Sequence, residues 1–163
     1  MSEADAHTIH KIGIPSLVLM ERAALQIVET MHKKNISTEK SLIVCGSGNN
    51  GGDGFAVARL LTEQGKHADV LFAGKEASLS EECRCQKQIV ENMGISVFTE
   101  FPDKEYTVII DAVFGVGLCR EITGHYKNVI DWMNLQDAEK VAVDIPSGIC
   151  AATGKILGTA FRA

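Results

Sequence analysis

Three short stretches carry side chains able to do chemistry. Cys45-Gly46-Ser47-Gly48-Asn49-Asn50-Gly51-Gly52-Asp53-Gly54 sets two amides and a carboxylate in a glycine-rich run. Asp111 leads into Ala112-Val113-Phe114-Gly115-Val116-Gly117-Leu118, and Asp144 into Ile145-Pro146-Ser147-Gly148. Gly46, Gly48 and Gly51 satisfy G-x-G-x-x-G, a spacing that can aim backbone N–H groups and a helix N-terminus at a phosphate. A carboxylate that is partly desolvated can act as a general acid or base, and Asp144, ahead of a proline-glycine turn, is a candidate. Two carboxylates held close repel, so a bound cation or a shared proton is expected near Asp111 and Asp144. Asn, Asp and Ser donors without Cys or His exclude a preference for zinc and suit a hard cation: calcium, magnesium or an alkali ion. Carbonyl, amide and hydroxyl oxygens around a single carboxylate favour potassium over magnesium, and the sequence chemistry leaves the ion open. No Ser-His-Asp or Cys-His arrangement stands out, and His67 and His125 read as surface residues.

The elements that must position these groups follow from periodicity. A lead helix over 5–34 is broken at Gly13-Ile14-Pro15-Ser16, with Ser16 as its second N-cap. Leu17 to Val28 is apolar on most sides, so it packs against the sheet and offers a face to a second subunit, with Glu21 and Arg22 as a solvent-facing pair. Strands are expected near 41–46, 68–73, 95–98, 107–111 and 140–144, and helices near 52–64, from Ser78 or Ser80 to Asn92, and 122–134. Strands alternating with helices of about a dozen residues give an α/β, three-layer Rossmann-like fold: a mostly parallel central sheet with helices on both faces. Right-handed crossovers and a reversal after the third strand give the order 3-2-1-4-5. The loop holding Asn49, Asn50 and Asp53 then converges with the ends of strands four and five at the switch-point crevice, where such sheets bind ligands.

Composition narrows the class. The chain has 163 residues, one domain's worth, with net charge −5 and 23% charged residues. It shows no basic run, so nucleic acid is not an expected partner, and no apolar segment long enough to span a membrane. Acidic Ser2-Glu3-Ala4-Asp5 does not open a signal peptide. Five cysteines (Cys45, Cys83, Cys85, Cys119 and Cys150) lack zinc-site spacing and read as free thiols of a cytoplasmic protein. The strand 68–73 ends apolar, whereas a dehydrogenase places an acidic residue there for a ribose, and Asp69 sits near its start. An ordinary dehydrogenase is therefore disfavoured.

Taken together, these motifs resemble the YjeF N-terminal domain, the NAD(P)H-hydrate epimerase family. The matching segments are Gly13-Ile14-Pro15, Leu19-Met20-Glu21-Arg22-Ala23, Asn49 to Gly54, Asp111 to Gly117, Val143 to Gly148, Thr153-Gly154 and Gly158-Thr159-Ala160. The resemblance covers residues 1–163 as a single domain, and the family usually has a longer lead and further strands and a helix past the last match. It implies an isomerase that interconverts the R and S forms of hydrated NADH and NADPH, so that a partner dehydratase can restore the cofactor. It also implies a potassium ion held by Asn50, Asp111 and Ser147, and a homodimer. Asn49, Asn50, Gly51, Gly52 and Asp53, with Gly115, Val116, Gly117, Leu118, Cys119, Arg120 and Glu121, would wrap phosphates and ribose, and Asp144 would lie at the hydrated nicotinamide as the catalytic acid/base. A binding module that keeps the pocket without the chemistry is the competing expectation.

Overall fold

The computed structural model describes residues 7–163, so the expected helix start at residue 5 lies outside the described residues. Five strands form: β1 (Lys40–Cys45), β2 (His67–Phe72), β3 (Val97–Phe98), β4 (Val108–Ala112) and β5 (Glu139–Ala142), with β-branched runs at the centres of β1 and β4. All pair in parallel in the order β3-β2-β1-β4-β5. The helices are α1 (Ser16–Lys33), α2 (Asn49–Glu63), α3 (Glu81–Asn92) and α4 (Gly124–Leu135). This is the three-layer arrangement with its expected strand order.

Strand alternation divides the core between the two faces. Ile43, Cys45, Val70, Phe72, Ile110 and Ala112 pack with residues of α1, α2 and α3, among them Met31, Phe55 and Cys83. Leu42, Val44, Leu71, Ile109 and Val113 pack on the other face with Val129, Ile130 and Met133 of α4. The crossover from β3 to β4 is a bare loop, and there Phe101 stacks on Trp132 of α4 with centroids 4.7 Å apart.

Three expectations need correction. Helix α2 begins at Asn49, three residues before the expected start, so the asparagines and Asp53 lie in its first turns and the loop shrinks to Gly46-Ser47-Gly48. Helix α1 packs chiefly along α2 and joins the same core as the sheet residues, but Glu21 accepts a hydrogen bond from Arg59 of α2 instead of facing solvent beside Arg22. Ser16 is the first helical residue, not the cap, and its hydroxyl donates to Glu82 Oε1 at 2.6 Å. Ser80 does cap α3, accepting the Cys83 N–H at 3.2 Å.

Candidate active site

The glycine run is built for close packing as much as for a ligand. A Cβ on Gly51 would fall 2.0 Å from the Gly46 carbonyl oxygen, and one on Gly54 would fall 2.4 Å from Ala112 Cβ. A Cβ on Gly52 would fall 2.6 Å from Met20 Cε. These three glycines bring the N-terminal turns of α2 down onto β1, β4 and α1. Gly48, by contrast, meets nothing within 4 Å, and its open side belongs to a cavity of about 710 Å³ at the carboxyl ends of β1 and β4.

Asn49, Asn50, Asp53, Asp144 and Gly115, Val116, Gly117, Leu118, Cys119 and Arg120 line that cavity. The turn after β5 brings Asp144 to its rim, where the exposed carboxylate accepts the Val116 N–H at 3.1 Å. Gly115 is what lets the groups meet: its Cβ would lie 2.9 Å from Asp144 Oδ2 and 3.4 Å from Asn50 Oδ1. Asn50 Nδ2 is buried with no partner among the described residues.

Behind this rim lies a buried carboxylate. Asp111 sits inside β4, opposite Ala142, and is 1% exposed. Its Oδ2 accepts the Ser147 N–H at 2.7 Å, and its Oδ1 accepts the Ser147 hydroxyl at 2.7 Å and the Val113 N–H at 3.1 Å. Burial pushes Asp111 up to about 6, against the pull of those hydrogen bonds from Ser147 and Val113. The two carboxylates differ in surroundings: Asp111 is buried inside the sheet, whereas Asp144 is exposed two residues past the end of β5.

The side chains expected to hold a cation carry oxygen donors: the Asp111 carboxylate, the Ser147 hydroxyl that bonds it, and the Asn50 amide, whose Nδ2 is buried without a partner among the described residues. That set fits a hard, weakly demanding ion. Among the described residues no three His, Cys, Asp or Glu side chains gather. The cysteines are free, as expected, and burial pushes Cys83 up to about 12 and Cys45 well above its ordinary value, so both stay protonated thiols.

Residues 16–163 match the family model described as YjeF-related protein N-terminus. The chain belongs to that family. A protein of Oenococcus oeni named NAD(P)H-hydrate epimerase is 44% identical over 161 residues, which cover 98% of this chain and 77% of the relative. One of Weissella koreensis with the same name is 42% identical over 164 residues, covering 100% of this chain and 74% of the relative. A crystal structure of yeast YNL200c superposes with a TM-score of 0.82 at 21% identity, over 98% of this chain and 73% of the yeast chain, and so shares the fold.

Not every residue singled out by the YjeF motifs faces the cavity. Gly51 and Gly52 are buried in packing contacts, and Glu121 lies beside Gly158, where a Cβ would come within 2.9 Å of Glu121 Cγ. His67 and His125 are exposed. Sequence reasoning missed the opposite wall, formed by Ile9, Ser16, Leu19 and Met20, and the floor segment with Lys75, Ser78 and Glu82. Leu19-Met20 was a visible signal, since it lies in a motif that helix periodicity assigns to packing alone. Phe114 and Tyr126, with ring centroids 4.8 Å apart, complete the lining.

Proposed function

We propose that this protein interconverts the R and S forms of hydrated NADH and NADPH. The observation that carries the reading is the open Asp144 carboxylate, held by the Val116 N–H beside Asn50, in a chain whose curated relatives are named NAD(P)H-hydrate epimerase. Inversion at a ring carbon that bears a hydroxyl next to nitrogen needs no redox partner. The C–O bond breaks as the hydroxyl takes a proton, the nitrogen lone pair forms a cationic C=N bond, and water returns to the opposite face, giving the proton back. Asp144 is the group that would deliver and recover that proton, and its carboxylate would stabilise the cationic ring. Phosphates of the nucleotide would sit on Gly48 and the N-terminus of α2, with Asn49, Asp53 and the loop Gly115 to Arg120 around the ribose.

Potassium fits the buried donors, and Asn50, Asp111 and Ser147 would hold it. Its chemistry there is to offset the charge of the desolvated carboxylate and orient polar groups at the ring. The assembly is a homodimer through α1, whose Leu17, Val18 and Leu25 are exposed although its other face is packed, and a partner dehydratase would consume the product. The test is interconversion of the two purified hydrate epimers with potassium present. A rate above the spontaneous one supports the reading; nucleotide binding without turnover would instead favour a binding module of the same fold.

A further inference from the structure

The segment after β2 lies against the glycine turn. β2 ends at Phe72, and the chain runs through Ala73 and Gly74 to Lys75. A Cβ on Gly74 would fall 2.3 Å from Ser47 Oγ and 2.8 Å from Ser47 N, so only glycine allows this approach. The Lys75 N–H donates to Ser47 Oγ at 2.8 Å, and the Ser80 N–H donates to the Ser47 carbonyl at 2.9 Å. Residues 74–80 are thereby fixed next to the N-terminus of α2, and Lys75 and Ser78 both line the cavity.

The charges at this place are selective. Lys75 and Arg120 are the cations lining the cavity, and neither takes part in an ion pair among the described residues. Glu76, the next residue, is drawn off to Lys87 at 2.8 Å and does not line the cavity. In a doubly wound sheet whose glycine turn seats a pyrophosphate, the end of the second strand faces the adenosine ribose. An acidic side chain there binds the free 2′-hydroxyl, and a cation accommodates a 2′-phosphate. This chain offers a lysine and a serine hydroxyl at that position.

We infer that Lys75, assisted by Ser78, reads the adenosine 2′-phosphate and so favours the NADP form of the ligand over the NAD form. The inference rests on the nucleotide-binding reading given above. A 2′-phosphate dianion beside the ammonium gains a charge-assisted hydrogen bond that the NAD form lacks.

The test uses calorimetric binding of ADP-ribose 2′-phosphate and of ADP-ribose, with epimerisation of NADPH hydrate and NADH hydrate alongside. In Lys75→Ala the affinity ratio between the phosphorylated and unphosphorylated ligands should fall about tenfold or more, and further in Lys75→Glu, with the kcat/KM ratio following through KM. Lys75→Arg should keep the discrimination. Equal losses for both ligands would assign Lys75 to the shared pyrophosphate and overturn the inference, as would no loss for either. Binding of neither ligand by the unmodified protein would remove the nucleotide reading and the inference together. Binding with the expected discrimination but without turnover would uphold Lys75 and remove the epimerase chemistry alone.

Discussion

Ser147 grips both oxygens of Asp111: its N–H donates to Oδ2 and its hydroxyl to Oδ1, each at 2.7 Å. The serine comes from the turn after β5 and the carboxylate from inside β4, so one residue ties two strand ends together beneath the cavity. The same hydroxyl accepts the Phe114 N–H at 2.8 Å and so anchors the start of the loop that carries Gly115 to Arg120. Ser147→Ala removes a bond to a buried carboxylate and strands an amide. Its unfolding free energy should drop by about 2–3 kcal/mol, read from a shift in urea midpoint at constant slope. An unchanged midpoint would mean that this hydroxyl does not organise the site.

Potassium should raise thermal stability at neutral pH if the buried oxygens around Asp111 hold it, because a ligand of the folded state alone stabilises that state by mass action. Melting temperatures in potassium chloride and in tetramethylammonium chloride at equal ionic strength measure the effect. Asp111→Asn should abolish the difference and weaken nucleotide affinity as well. A variant that still responds to potassium would place the ion elsewhere.

The glycines of the α2 start divide into two kinds, and substitution separates them. Gly51→Ala drives a methyl into the Gly46 backbone, with no flexible side-chain atom to yield. It should cost about 1–3 kcal/mol of stability. Gly48 has a φ of −87°, which alanine adopts freely, and open space around it. Gly48→Ala should fold as well as the unmodified protein while losing nucleotide affinity, seen by pairing a denaturation curve with a binding titration.

A second buried carboxylate, remote from the site, sets an acid-sensitive term. Asp69 is 1% exposed, and burial pushes its carboxyl up. Hydrogen bonds from Lys104 at 2.9 Å, Tyr106 at 3.0 Å and His67 at 3.3 Å outweigh that push and hold it below its ordinary value. A carboxyl depressed in the folded state contributes stability above its unfolded pKa, and that contribution is lost as pH falls through the folded value. Asp69→Asn should therefore be less stable at pH 7, with the deficit shrinking below about pH 4. A deficit that stays constant with pH would mean that packing, not charge, is what the residue supplies.

The exposed side of α1 tests assembly. Leu17, Val18 and Leu25 are 36%, 46% and 41% exposed on a helix whose other face carries fully packed Ala24, Val28 and Met31. A dimer through this face should dissociate in Val18→Glu, with sedimentation shifting from the dimer to the monomer mass at tens of micromolar, a working concentration suited to specific interfaces of about micromolar affinity. Monomer alone in the unmodified protein at that concentration would contradict it.

Much of this molecule was legible in its sequence because the signals were local. Leu42-Ile43-Val44 and Val108-Ile109-Ile110 read as strands and are strands, and the alternation with helices gives the observed strand order. The start of α2 was not legible, because Gly51-Gly52 argues for a turn by propensity, and the reason for those glycines is tertiary: contact with Gly46 and Met20. Nor did the sequence tell which of Asp111 and Asp144 is buried, since each follows an apolar run. Register does: Asp111 pairs within the sheet and is buried, whereas Asp144 lies past the last pairing and is exposed. The Leu19-Met20 motif did not tell which way it faces and the segment at Lys75 carried no motif of its own; the packing of α1 along α2 and the seat of Gly74 on Ser47 bring them to the cavity.

That difference between the two carboxylates leads to the most specific expectation. Asp144 keeps a solvent-facing carboxylate anchored at one oxygen by the Val116 N–H, leaving the other able to exchange a proton with a ligand. Asp144→Asn conserves shape and can no longer carry the proton. Turnover of hydrate epimers should fall by about 10²–10⁴-fold, the usual worth of a positioned acid/base group, with KM changing little. Binding of ADP-ribose and the response to potassium should persist, because Asp111 and Ser147 are untouched. A role in holding the ribose would show the opposite split, with KM rising and kcat persisting. The pair of parameters, measured with both epimers as starting material, decides between the two roles, and a persisting kcat would move the proton transfer away from Asp144, to a water held near the buried oxygens.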